Sequence, residues 1–111
     1  MIKTSLVTFA LVFMACLGSA QAAVDADAAQ SLFKKNECVK CHAVDKNKRG
    51  PSLKKIAAKY KGKAEGQEKI ISSITLGHKV KFEDGTEEDH KIMDSKDPAV
   101  LKNVADWILS Q

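Results

Sequence analysis

Aromatic residues are scarce in this chain and thiols and prolines scarcer: Phe, Trp and Tyr make up 5% of 111 residues, with three cysteines and two prolines. Internal repeats, low-complexity tracts and a phosphate-cradling glycine loop are all missing, which removes repeat architectures and nucleotide-dependent chemistry. So is the strand-helix alternation that a thioredoxin-like fold needs. The longest apolar stretch, Leu6 to Leu17, is too short to cross a bilayer. The lysine-rich stretches carry too few aromatics to form a platform for stacked bases, which argues against nucleic acid as a partner.

That short apolar stretch reads instead as an address. Lys3 supplies a positive start, and Ala20-Gln21-Ala22 is a small-x-small cleavage site, so residues 1–22 are expected to be a cleaved secretory signal peptide and residues 23–111 a single small domain. A competing expectation is a lipoprotein cut before Cys16 and tethered through it. Phe13 replaces the leucine usual for that signal, which favours the soluble, exported form.

The chemistry concentrates in Cys38-Val39-Lys40-Cys41-His42. Two thiols three positions apart, followed directly by an imidazole, form the attachment pattern of a c-type haem. The spacing lets both thiols form thioethers to one macrocycle while the adjoining ring nitrogen reaches the iron. Zinc would need two more ligands at matching spacing, and His78 and His90 are twelve positions apart, too far for a finger. A redox dithiol lacks its fold pattern. With Cys16 removed in the signal and the other two thiols engaged, no disulfide is expected. A domain this small has a poor surface-to-volume ratio, so a buried apolar cofactor would supply much of its core.

Four helices can be read. Asp25 or Asp27 caps the first, which runs to about Asn36 with Ala29, Leu32 and Phe33 on one face. Gly50-Pro51-Ser52 stops the chain before a short helix carrying Leu53, Ile56, Ala57 and Tyr60. A third spans about Gln67 to Leu76 and ends at Gly77. Residues 78–96 are expected to form a long polar connection with Gly85 at its tip and no strand. In the last helix Asp97 caps, Pro98 suits the first position, and Val100, Leu101, Val104, Trp107 and Ile108 fall on one stripe.

Net charge is +4, but its distribution is uneven. Eleven basic residues between Lys34 and Lys63 face only Glu37 and Asp45, and seven acids between Glu83 and Asp97 face Lys91 and Lys96. Either this is ordinary solvated surface, or a basic side steers the molecule toward acidic docking faces of redox proteins.

The segments Leu32-Phe33-Lys34-Lys35-Asn36, Cys38 to His42, Gly50-Pro51-Ser52-Leu53 and Ala105-Asp106-Trp107-Ile108-Leu109-Ser110 resemble the small class I cytochromes c. The resemblance implies an all-α fold of about four short helices around one covalent haem c, with crossed first and last helices and single-electron transfer. It also implies that the Pro51 carbonyl accepts a hydrogen bond from the proximal ligand His42. The distal side departs from the pattern. The family usually donates a methionine, often beside a proline, yet Met93 is followed by Asp94-Ser95. In the family the ligand precedes the aromatic of the last helix by roughly sixteen to eighteen residues. Trp107 follows Met93 by 14 positions and His90 by 17, which favours His90 and keeps Met93 as a close alternative, with His78 a surface imidazole.

With no second haem motif and no acid-base set, the sequence reads as an electron-transfer protein and not an enzyme. It is expected to be a monomeric periplasmic carrier shuttling electrons between respiratory complexes and redox enzymes. The alternatives are a tightly bound cytochrome subunit of a dehydrogenase complex or a haem-based small-ligand sensor.

Overall fold

The computed structural model describes residues 23–111; the expected signal segment and Cys16 lie outside the described residues. The element order is α1 (Ala26–Lys35), a single 3-10 turn (Cys38–Lys40), α2 (Leu53–Tyr60), α3 (Gly66–Thr75), a hairpin of β1 (Lys79–Lys81) and β2 (Glu87–Asp89), and α4 (Pro98–Leu109). Three helices start where the sequence supplies a capping side chain. The Asp25 carboxylate accepts from the Ala28 amide, the Ser52 hydroxyl from the Lys55 amide, and the Asp97 carboxylate from the Ala99 amide. Each satisfies an amide that a helix start leaves without a partner.

α4 is the hub, and α1, α2 and α3 each pack on it. It buries Leu101, Val104, Ala105, Trp107 and Ile108, against which α1 sets Ala29 and Phe33, α2 Leu53 and α3 Ile70. Ala29 and Ala105 have no exposed surface at all, and such small side chains let the terminal helices approach closely where they cross. Phe33 meets Trp107 edge to face, ring centres 5.5 Å apart at 67°, a favoured aromatic geometry. Asn103 fastens the same crossing, accepting from the Asp25 amide at 2.8 Å and donating to its carbonyl at 2.9 Å.

The connection before α4 departs from the expectation of an unstructured loop. β1 and β2 pair antiparallel in the register Lys79 with Asp89, Val80 with Glu88 and Lys81 with Glu87. Its tip is an Asx turn in which the Asp84 carboxylate accepts from the Thr86 amide and hydroxyl. Gly85 takes a positive φ of 86° there, a conformation glycine adopts without steric cost. Opposite charges face each other across the pair, with Lys79 and Asp89 2.8 Å apart. Among the described residues no helix is long and apolar enough to cross a membrane.

Candidate functional site: the Cys38–His42 segment and the two imidazoles

α1 ends in a sharp bend at Glu37, the one non-glycine residue with positive φ among those described (61°). The bend launches Cys38 to His42 away from the helix axis, and the Cys38 carbonyl accepts from both the Cys41 and His42 amides. The two thiols therefore lie on one tight turn. Both are partly exposed and neither is in a disulfide. Burial pushes the Cys38 thiol above its ordinary pKa, the opposite of what activates a redox dithiol.

The loop beyond fixes His42. Gly50 donates its amide to the Cys41 carbonyl at 2.8 Å, Leu53 to Ala43 at 2.9 Å and Lys54 to Val44 at 3.1 Å, while the Ser52 amide donates to the Asn47 side chain. The His42 Nδ1–H donates to the Pro51 carbonyl at 2.7 Å. A carbonyl only accepts, so the proton sits on Nδ1 and the lone pair on Nε2. Gly50 lies against the same ring: a Cβ there would meet His42 Cε1 at 2.7 Å. Phe33, Val39, Val44 and Trp107 join His42 in lining an apolar cleft of about 240 Å³.

A second imidazole comes from the other end of the chain. His90 emerges just past β2, its amide held by the His78 carbonyl at 2.8 Å, and its Nδ1–H donates to the Lys91 carbonyl at 2.8 Å. Burial first, then the neighbouring His78, lower its pKa from the ordinary imidazole value, against the opposing pull of hydrogen bonds to the Lys91 and Ser73 backbone. The His42 and His90 ring centres are 6.1 Å apart with planes tilted by 51°.

His78 is exposed, as expected, yet it also stacks on His90 at 4.8 Å and 15°, a contact invisible from spacing alone. Met93 lies elsewhere. It is 3% exposed, packed in the core with its amide donating to Ile74 at 2.7 Å, so protein atoms cover it on nearly every side.

This donor set fits a haem. There are two thiols on one turn, two half-buried imidazoles with ring centres 6.1 Å apart, and a glycine whose missing Cβ leaves room for the His42 ring. All eleven basic residues between Lys34 and Lys63 are exposed. The two charge clusters meet in three exposed pairs, Lys35 with Asp94 (2.9 Å), Arg49 with Glu88 (3.4 Å) and Lys91 with Glu37 (3.0 Å), so they are less segregated than the sequence suggests. Sequence reasoning treated Arg49 only as one more positive charge. It is the single arginine among eighteen basic residues.

Comparison with known proteins gives one answer. The Cytochrome c family profile matches residues 26–111. Cytochrome c-551 of Pseudomonas denitrificans is 33% identical over 81 residues, covering 73% of this chain and 94% of the relative. The class 1 cytochrome MtoD from Sideroxydans lithotrophicus ES-1 is 56% identical with a TM-score of 0.75, over 79% of this chain and 97% of that one. Nitrosomonas europaea cytochrome c552 is 33% identical with a TM-score of 0.58, over 73% and 96%. The chain belongs to the cytochrome c family: it is a small class I c-type cytochrome, an electron carrier and not an enzyme, with one covalently bound haem c.

Proposed function

We propose that this chain is a freely diffusing, monomeric periplasmic shuttle whose iron is held between two histidines. In this reading residues 1–22 direct export and are removed. Cys38 and Cys41 carry the thioethers, His42 is the proximal ligand oriented by the Pro51 carbonyl, and His90 is the distal ligand. The observation that carries the ligand assignment is the facing pair of imidazoles. Two rings sharing one metal at about 2 Å per bond have centres roughly 6 Å apart, and His42 and His90 are separated by 6.1 Å. Both set Nδ1 on a backbone carbonyl, and in this reading Nε2 is the nitrogen each gives to the metal. Met93, enclosed by the core, serves packing.

The bound haem supplies a one-electron iron couple, and a second imidazole in place of a thioether favours the ferric state and lowers the potential. The chain's own groups keep both rings in place through the electron's arrival and departure. The exposed lysines on the α1 to α2 side then steer encounter with acidic redox proteins.

Mass spectrometry of the mature, denatured protein should show one haem retained and cleavage after Ala22; a bare polypeptide mass would reject the thioether assignment. His90→Ala should open the iron to carbon monoxide in the reduced protein, while Met93→Ala should leave a six-coordinate low-spin spectrum without a methionine-to-iron band in the near infrared. The reverse pattern would return the site to histidine-methionine ligation. The rate with an acidic redox partner should fall steeply with ionic strength, since exposed charges are screened over about 8 Å at physiological salt. A flat dependence would leave the lysines as solubilising charge.

A further inference from the structure

The hairpin that precedes His90 is weakly supported by the rest of the fold. Its strands contact chiefly each other, β2 is exposed along its whole length, and both strands are only three residues long. A two-stranded ribbon of this size is marginal by itself in water. One side chain from the opposite half of the site reaches it. The Arg49 guanidinium lies 4.0 Å from the centre of the Phe82 ring, and its Nη2 is 3.4 Å from Glu88 Oε1. Phe82 follows β1 and Glu88 is the middle of β2, so one planar group grips both arms. The same charge reaches Asp84 at the tip, whose carboxyl is held low chiefly by the Thr86 hydroxyl and amide, with Arg49 adding to them.

The other end of Arg49 is rigid. Its neighbour Gly50 is bonded to Cys41 and lies against the His42 ring, and Lys48 closes the turn onto the Gly50 carbonyl at 3.0 Å. The chain uses lysine at every other basic position. Lysine could pair with Glu88, but it cannot lay a delocalised plane on Phe82 while doing so.

We propose that Arg49 is a positioning residue for the distal ligand: by clamping Phe82 and Glu88 to the His42 loop it holds the hairpin closed and sets how readily the His90 ring swings away from the iron. The proposal rests on His90 being that ligand. The path is short and continuous. β2 ends at Asp89, the His90 amide is bonded to His78 beneath β1, and the His90 ring stacks on His78. Loosening the ribbon therefore loosens both contacts of His90 with His78.

The test uses the mature haem-loaded protein and follows cyanide binding to the ferric form, which requires a ligand to leave first. Arg49→Ala should accelerate binding about five- to tenfold, the factor that losing an exposed cation-π contact and a surface pair together corresponds to, with the resting low-spin spectrum kept. Arg49→Lys should lie between it and the parent, and adding Phe82→Ala to Arg49→Ala should have little further effect. Amide exchange at His90 and Phe82 should quicken in parallel, a readout independent of haem chemistry. Asn103→Ala, which loosens the distant crossing of α1 and α4, should change stability without changing cyanide binding. If His90→Ala opens the iron but Arg49→Ala binds cyanide at the parental rate, the clamp is wrong and the ligand assignment stands. If His90→Ala leaves the iron closed, the ligand assignment fails and the clamp fails with it.

Discussion

The two segments that bracket the haem site are built on different terms. From Cys38 to Lys54 the backbone is tied to itself almost residue by residue: Gly50 to Cys41, Leu53 to Ala43, Lys54 to Val44, and the His42 ring to Pro51. From Gly77 to Asp94 the chain is tied down at a few points, His90 to His78, Met93 to Ile74 and Asp94 to the Asn36 side chain, with an exposed ribbon between. The His42 ring sits in a mould and the His90 ring stands at the end of a lever. Motion in this protein should therefore be one-sided, with ligand exchange and local opening confined to the His90 half.

The contrast can be broken most severely from beneath, since the helices that flank both halves, α1, α2 and α3, pack on α4. Trp107→Ala removes a ring that is 5% exposed and touches Phe33. It should cost about 3 to 5 kcal/mol; an unchanged denaturation midpoint would show that α4 does not carry the site. Met93→Ala separates packing from ligation. It should destabilise by about 2 to 5 kcal/mol through the cavity it leaves while the iron spectrum stays unaltered, and any conversion to a high-spin or carbon monoxide-binding form would put Met93 on the metal.

Gly50→Ala attacks the mould directly. The added methyl would sit 2.7 Å from the His42 ring, so about 1 to 3 kcal/mol of stability and a shifted potential are expected. Parental values of both would mean that the ring has room to give. The smallest effect is at Glu37, where hydrogen bonds from Lys40 and then Lys91 hold the carboxyl below its ordinary 4.5. A depressed carboxyl stabilises the fold above that value and loses the contribution as pH falls through its folded pKa. Glu37→Gln should thus slightly lower the melting temperature at neutral pH and converge with the parent in acid. Because Glu37 and its two lysines are exposed to solvent, salt should erase the difference; a gap that persisted in acid would assign the effect to the bend and not to charge.

The helices and the proximal half were legible because their signals are local. Asp25, Ser52 and Asp97 cap where capping residues belong, and the Cys38 to His42 pattern states its chemistry in five residues. The hairpin was missed because three-residue strands with exposed faces show no apolar alternation, although Asp84-Gly85 carried a turn signal. It is held by Lys79 facing Asp89 and by Arg49, 36 positions upstream of Gly85, and pairings across that distance leave no periodic trace. The stacking of His78 on His90 was hidden for the same reason. Spacing to Trp107 favoured His90 over Met93 only through resemblance; the ring separation and the burial of Met93 on which the proposed assignment rests are tertiary features that no spacing carries.

The double hydrogen bond between Asn103 and Asp25 has a different kind of consequence. With α1 seated on α4, nearly every other element lies inside one loop of chain that opens and closes at that crossing. The entropy of closing a flexible loop grows only logarithmically with its length, so even a doubling adds about 0.6 kcal/mol. A ribbon of a dozen residues inserted between Gly77 and His90 is thus almost free to the fold as a whole. The distal side is where this architecture can lengthen, and with it change its iron ligand, while the crossing of its terminal helices stays as it is.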